Sequence, residues 1–192
     1  MSNENISVSM IRATLNDLPH FAVPAPYTLR WYELGDEQAW VAIHVAADAY
    51  HTFTMATFEQ EFGADRALLS TRQAYLCDEA GKPIGTTSAW FYNDEEGDPY
   101  GLVHWVAIHP TAQGKGLAKP LLGLVCERLR ALGHAQGYLN TSTGRIPAIS
   151  LYLQFGFVPQ MRRDRETTLR AWRQVSERLQ HPAVEEFLRK HA

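Results

Sequence analysis

Tyr100 to Leu121 reads YGLVHWVAIHPTAQGKGLAKPL, and the way this stretch divides decides the fold. Leu102 to Ile108 is a short apolar run rich in β-branched and aromatic residues, the pattern of a buried strand. His109-Pro110-Thr111-Ala112 breaks it, and Gln113-Gly114-Lys115-Gly116 follows. Beyond the glycines, Leu117, Leu121, Val125 and Leu129 recur at helical spacing, flanked by Leu122, Cys126 and Leu132. The unit is strand, glycine loop, helix. Glycine lets a ligand approach the backbone closely, and the first N–H groups of a helix have no partner within it, so they are donors ready for an anion. Pro120 has no N–H to give and is tolerated only in the first turn, so the helix starts no earlier than about Gly116.

The spacing excludes two phosphate-binding loops. A Walker A loop needs Gly, four residues, then Gly-Lys-Ser/Thr; here Gly114 and Gly116 are too close and Leu117 stands where the hydroxyl would be. The dinucleotide fingerprint fails because the third position after Gly116 is Lys119. What remains is Gln/Arg-x-x-Gly-x-Gly/Ala, carried by Gln113, Gly116 and Ala118 directly after Val-Ala-Ile-His-Pro. Downstream, AISLYLQFGF (residues 148–157) sets Ala, Tyr and Gly-Phe at a second characteristic spacing. Together these motifs resemble the GNAT family of N-acetyltransferases. The resemblance covers about residues 27–161 and is specific in the two motif regions.

Length and composition bound the alternatives. A chain of 192 residues, 45% hydrophobic, can bury one full-sized core and reads as a single domain, residues 1–192, with a C-terminal helical extension over 164–192. A net charge of -3 gives no support for nucleic-acid binding, which brings a basic excess. No apolar run approaches the roughly 18–20 residues needed to cross a bilayer, and the polar start MSNENISVSMIR has no export-signal pattern. Cys77 and Cys126 fall in a strand and on a helix's apolar stripe, which suits buried reduced thiols and a cytoplasmic home.

In chain order, residues 1–26 read as a lead-in with a short strand at Val8 to Ile11, and Tyr27 to Tyr32 as the first central strand. Asp36 is the expected cap of a helix carrying Trp40, Ile43, His44, Ala47 and Tyr50. Thr57 to Phe62 is a short second helix. Ala74 to Asp78 and Pro83 to Tyr92 form a hairpin around Gly81, and an acidic turn, Asn93 to Pro99, leads into the central strand. Gly137 to Thr143 reads as a strand, Pro147 presets a helix that Gly156 ends, and Phe157 to Met161 is the last strand. Asp164 to Leu179 and Pro182 to Leu188 are terminal helices that suit either covering the sheet or pairing with a second subunit as a homodimer. This succession gives an α/β (α+β) fold, a mixed sheet with helices on both faces.

The resemblance adds a splayed sheet, in which the strand of Val106-Ala107-Ile108 parts from the strand at Gly137 and the pantetheine arm of acetyl-CoA pairs with the backbone of 106–108. It places the pyrophosphate on the amides of Gly114, Lys115, Gly116, Leu117, Ala118 and Lys119, beside Gln113. Convergent amides at the positive end of a helix hold such a group without a specific side chain. Lys115 and Lys119 either add charge there or are solvated.

Tyr152 matches the family's general acid: a phenol with a pKa near ~10 stays protonated at neutral pH and can protonate a departing thiolate. Spacing alone also fits a core tyrosine, since Leu151 and Phe155 flank it. Seven residues earlier the family often has Asn, and this chain has Arg145, whose donors suit the pantetheine or the CoA phosphates as well as open solvent. His104 stands where many members carry a glutamate base. Strict alternation points it with Leu102, Val106 and Ile108, away from Val103, Trp105 and Ala107; it is a candidate base, directly or through water, or a hydrogen-bonded core group, with a water as the alternative base.

Of the eight histidines none falls in HxxxH, and no Cys-x-x-Cys occurs, so no metal is expected. The acceptor site would be shaped by Trp40, Tyr50, His51, Phe53, Trp90, Tyr92 and Trp105, with Asp94-Glu95-Glu96 attracting a cation. The implied activity is direct acetyl transfer from acetyl-CoA to an amine of a small molecule or peptide, with no covalent enzyme intermediate. A binding-only acyl-CoA sensor and transfer of a longer acyl group are the alternatives.

Overall fold

In β1 (Ser7–Arg12) serines alternate with Val8 and Met10, which are fully buried while the serines face outward. The computed structural model, which describes residues 4–93 and 99–192, places this strand inside the sheet, between the two strands that follow the long helix. It is therefore an interior strand of the sheet rather than a lead-in. The segment expected to be the first central strand, β2 (Thr28–Trp31), is instead an edge strand, half-buried and paired only with β3 (Gln73–Cys77).

All five residues of β3 are buried, as a strand covered on both faces requires. Its side chains alternate between two cores: Ala74 and Leu76 join one, Tyr75 and Cys77 the other. β4 (Pro83–Asn93) and β5 (Pro99–Ile108) continue the meander, followed by α4 (Ala118–Ala131) and β6 (Gly137–Ser142). After α5 (Ile146–Gln154), β7 (Val158–Gln160) pairs with the far side of β1. The sheet has the order β2-β3-β4-β5-β6-β1-β7. Every registered pairing is antiparallel except β5 with β6.

α4 lays Leu121, Leu122, Val125 and Leu129 on one face of the sheet. The opposite face is covered by α1 (Asp36–Ala47), α2 (Met55–Phe62) and α3 (Arg66–Arg72), around Trp40, Ile43, Phe58, Phe62 and Leu69. Asp36 does not cap α1. Gly35, at φ 104°, occupies the capping position, and Asp36 enters the first turn with its carboxylate on both Arg30 Nη atoms (2.6 and 2.8 Å) and on the Glu33 N–H (2.7 Å). α3, which the sequence pattern does not announce, is capped by Asp65. The terminal helices α6 (Arg165–Arg178) and α7 (Pro182–His191) bury Trp172, Val175, Val184 and Phe187 in the larger core, against β1 and β7. They cover this chain's own sheet.

Two irregularities in β5 prepare a site. Thr86 pairs with Ala107 and Ser88 with His104, so Trp105 and Val106 both stand opposite Thr87: a β-bulge, with Trp105 at φ 51°. The bulge breaks the strict alternation read from sequence. Leu102, Trp105 and Ala107 face the α1/α2 side, where the His104 ring meets Phe62, while Val103, Val106 and Ile108 face the α4 side. Second, β5 and β6 share only the pairs Gly101–Gly137 and Leu102–Tyr138, and then part.

Candidate active site

Where β5 and β6 separate, a cleft of about 990 Å³ opens, floored by Leu102 to Ile108. Asn140 and Thr141 of β6, the start of α5, the α1–α2 connection and the glycine loop complete its walls. Val106, Ala107 and Ile108 all line it.

The loop is held from below. The Gln113 side chain donates to the Ile108 carbonyl (2.8 Å), tying the loop to the end of β5, so this amide is structural. Gly114 and Gly116 have φ of 76° and 75° with open space where a Cβ would stand; the demand for glycine here is conformational. Leu117 is buried and anchors the helix start. Gly114, Gly116, Leu117, Ala118 and Lys119 line the cleft, but the Lys119 amide is already bonded to the Gly116 carbonyl (3.2 Å). Lys119 lies over the Phe21 ring, 5.2 Å from its centroid. Lys115 is not part of the cleft wall: its ammonium donates to the Tyr27 hydroxyl (3.1 Å).

Pro147 opens α5, and the chain leaves it through Gly156 at φ 75°, which fixes the face that Tyr152 presents. Tyr152 is buried and still lines the cleft. Burial pushes its phenol well above the ordinary value, against the opposing pull of Arg145, so it holds its proton throughout the physiological range. Among the described residues its hydroxyl makes no hydrogen bond. Core tyrosine and cleft tyrosine are here the same residue.

His104 also lines the cleft, with Nε2 3.0 Å from Glu61 Oε2 of α2. The Trp105 indole N–H donates to the same oxygen (2.9 Å). The hydrogen bond from His104 holds the Glu61 carboxyl below its usual range; burial works the other way, and Trp105 assists the lowering. Sequence reasoning missed Glu61. Its only signal was a place one residue before Phe62 on a helix whose Phe58 and Phe62 are buried, and nothing linked it to a histidine 43 residues away.

Arg145 stands at the N-terminal cap position of α5 and lines the cleft, but its guanidinium is committed. It donates to Asp48 Oδ2 (2.5 Å) and Ser142 Oγ (3.1 Å), with Tyr50 stacked 5.1 Å away. Burial would raise the Asp48 carboxyl, yet the Tyr50 N–H, His51 and Arg145 together take it below its ordinary value. Arg145 thus fastens α5 to the α1–α2 connection.

Of the aromatic residues expected around the acceptor, Tyr50, His51, Tyr92 and Trp105 line the cleft, whereas Trp40, Phe53 and Trp90 are core. Trp40 meets Phe53, Phe58, Phe62 and Trp105 edge-on at 5.4–5.8 Å. His44, absent from that expectation, is buried beneath them; Nδ1 bonds the Trp40 carbonyl (2.9 Å) and Nε2 has no partner among the described residues. Asp94-Glu95-Glu96 lies outside the described residues. Among those described, no three His, Cys, Asp or Glu side chains are grouped as metal ligands, and no helix is long and apolar enough to cross a membrane.

A parted parallel strand pair, a bulge beside it and a glycine loop opening a helix frame a single cleft at the centre of the sheet. The model of the GNAT acetyltransferase family matches residues 24–157, and the chain belongs to that family. It is 31% identical over 152 residues to a mycothiol acetyltransferase of Thermomonospora curvata, covering 77% of this chain and 50% of the relative. The chain thus spans about half the length of that curated relative. A GCN5-related N-acetyltransferase from Sphaerobacter thermophilus shares the fold at a TM-score of 0.67 and 20% identity, over 81% of this chain and 49% of the other. The ribosomal-protein-S18-alanine N-acetyltransferase from Escherichia coli does so at 0.54 and 22%, over 68% and 76%.

Proposed function

We propose that this chain is an acetyl-CoA-dependent N-acetyltransferase that passes the acetyl group directly to an amine. The observation that carries the proposal is the gap between β5 and β6 beyond their second pair, walled on one side by Val106–Ile108 and reached from the glycine loop. Acetyl-CoA supplies the activated thioester. Gly114, Gly116, Leu117 and Ala118 offer backbone at the loop, and residues 106–108 offer strand edge. Lys115, paired with Tyr27, is set aside from the binding role, and Arg145 is assigned to holding the acceptor side of the cleft together.

Positioning the two reactants supplies most of the acceleration. His104 takes a proton from the acceptor's ammonium, freeing the nitrogen lone pair to attack the carbonyl carbon. As the C–S bond breaks, the Tyr152 hydroxyl protonates the sulfur, and the second proton that the nitrogen sheds on becoming an amide restores the phenol. Tyr50, His51, Tyr92 and Trp105 enclose the acceptor. Two buried, unpaired cysteines suit a reducing compartment such as the cytoplasm.

The test is release of free CoA over a panel of small-molecule amines and peptides, beside calorimetric titration with CoA. Amine-dependent thiol release with saturable CoA binding is expected. Tight CoA binding with no amine-stimulated release overturns the enzymatic reading and leaves a sensor.

A further inference from the structure

We infer that Glu61 is a positioning residue that fixes the His104 tautomer, so that the proton is taken at Nδ1 of His104 and at no other atom. The inference rests on the reading of His104 as the base. Glu61 Oε2 receives two contacts, from His104 Nε2 (3.0 Å) and Trp105 Nε1 (2.9 Å). The indole can only donate, and an ionised carboxylate can only accept. Nε2 of His104 must therefore carry a hydrogen, which leaves the lone pair of the neutral ring on Nδ1. Among the described residues Nδ1 makes no hydrogen bond, and His104 is one of the residues lining the cleft.

When Nδ1 gains the acceptor's proton, the resulting imidazolium lies against a negative charge already oriented towards it. Among the described residues, the other titratable groups facing this ring are Tyr92 from β4, 6.0 Å away between ring centroids, and the buried His44 of α1; neither supplies a negative charge at neutral pH. The same carboxylate grips Trp105, the bulge residue at φ 51°, so one side chain sets both the base and the backbone next to it.

Glu61→Gln separates the charge from the geometry. Because the Trp105 N–H requires an oxygen at that position, the amide oxygen must occupy the Oε2 site and can still accept from His104. Two measurements decide. Nitrogen-15 NMR of the wild-type chain, without coenzyme or acceptor, should show neutral His104 as the Nε2–H tautomer; an Nδ1–H ring overturns the inference, and this readout needs no variant to fold.

Second, kcat/KM against pH is measured for Glu61→Gln, His104→Asn and the double variant. Glu61→Gln should lower kcat about tenfold or more, shift the acidic limb to lower pH, leave the KM for acetyl-CoA within about twofold, and add nothing to His104→Asn. If His104→Asn slows the reaction while Glu61→Gln keeps the wild-type rate and profile, the inference falls and the base stands. If His104→Asn itself keeps the wild-type rate, the assignment of the base falls first.

Discussion

Tyr152 shows what one residue can do in two environments at once. Its ring is packed near Phe157, 6.3 Å between centroids, while the residue lines the cleft. Replacing it with Phe keeps the packing and removes only the donor. Tyr152→Phe is expected to lower kcat by about 100-fold, with CoA affinity within about threefold by calorimetry; equal loss of both would refute the acid role. This residue was legible in the sequence because a motif surrounds it. Glu61 was not, since a contact across 43 residues is set by tertiary packing and leaves no local pattern. Arg145 fell between: its place at the cleft was readable, its Asp48 partner was not.

At the level of elements, strands, loops and helices followed from hydrophobic period and punctuation, and the errors lie where a local rule was overridden. The bulge at Trp105 inverted half of β5 because one added residue changes which face each later side chain meets. Gly35 displaced Asp36 from its cap by entering the left-handed region, which a glycine does at little cost.

α1 carries a further consequence, since it buries His44. Burial lowers that imidazole to about 4 from an ordinary 6.5. The unfolded chain then binds more protons between those values, so stability is complete above about pH 6.5 and falls as the pH drops towards 4. Integrated to pH 5, the loss relative to pH 7.5 is about 2 kcal/mol from this group. His134, lowered by burial, acts in the same direction. Urea unfolding of wild type and His44→Phe at both pH values should give a clearly smaller loss for the variant; equal losses would place the acid sensitivity elsewhere.

Over the whole molecule, the order of strands could not be read from the sequence. β1 reaches its interior place by pairing with β6 and β7, from Gly137 to Gln160 far downstream, and short strands of ordinary composition do not announce such partners. The terminal helices were equally ambiguous in the sequence, and packing puts their Trp172 and Phe187 inside the main core.

The incomplete seam between β5 and β6 links ligand to global stability, because whatever occupies it binds the native state and not the unfolded one. Coenzyme at about 100 times its Kd should add about 2.7 kcal/mol. Calorimetric melting should therefore move upward with CoA, and an unchanged midpoint at saturation would remove the seam as the binding place. Seen this way, four strands on one side and three on the other are joined by only two residue pairs, Gly101–Gly137 and Leu102–Tyr138, and the proposed coenzyme would supply the stitching that most proteins do with their own backbone. Supply of that metabolite would then set how long the protein survives heat and proteases as well as how fast it works.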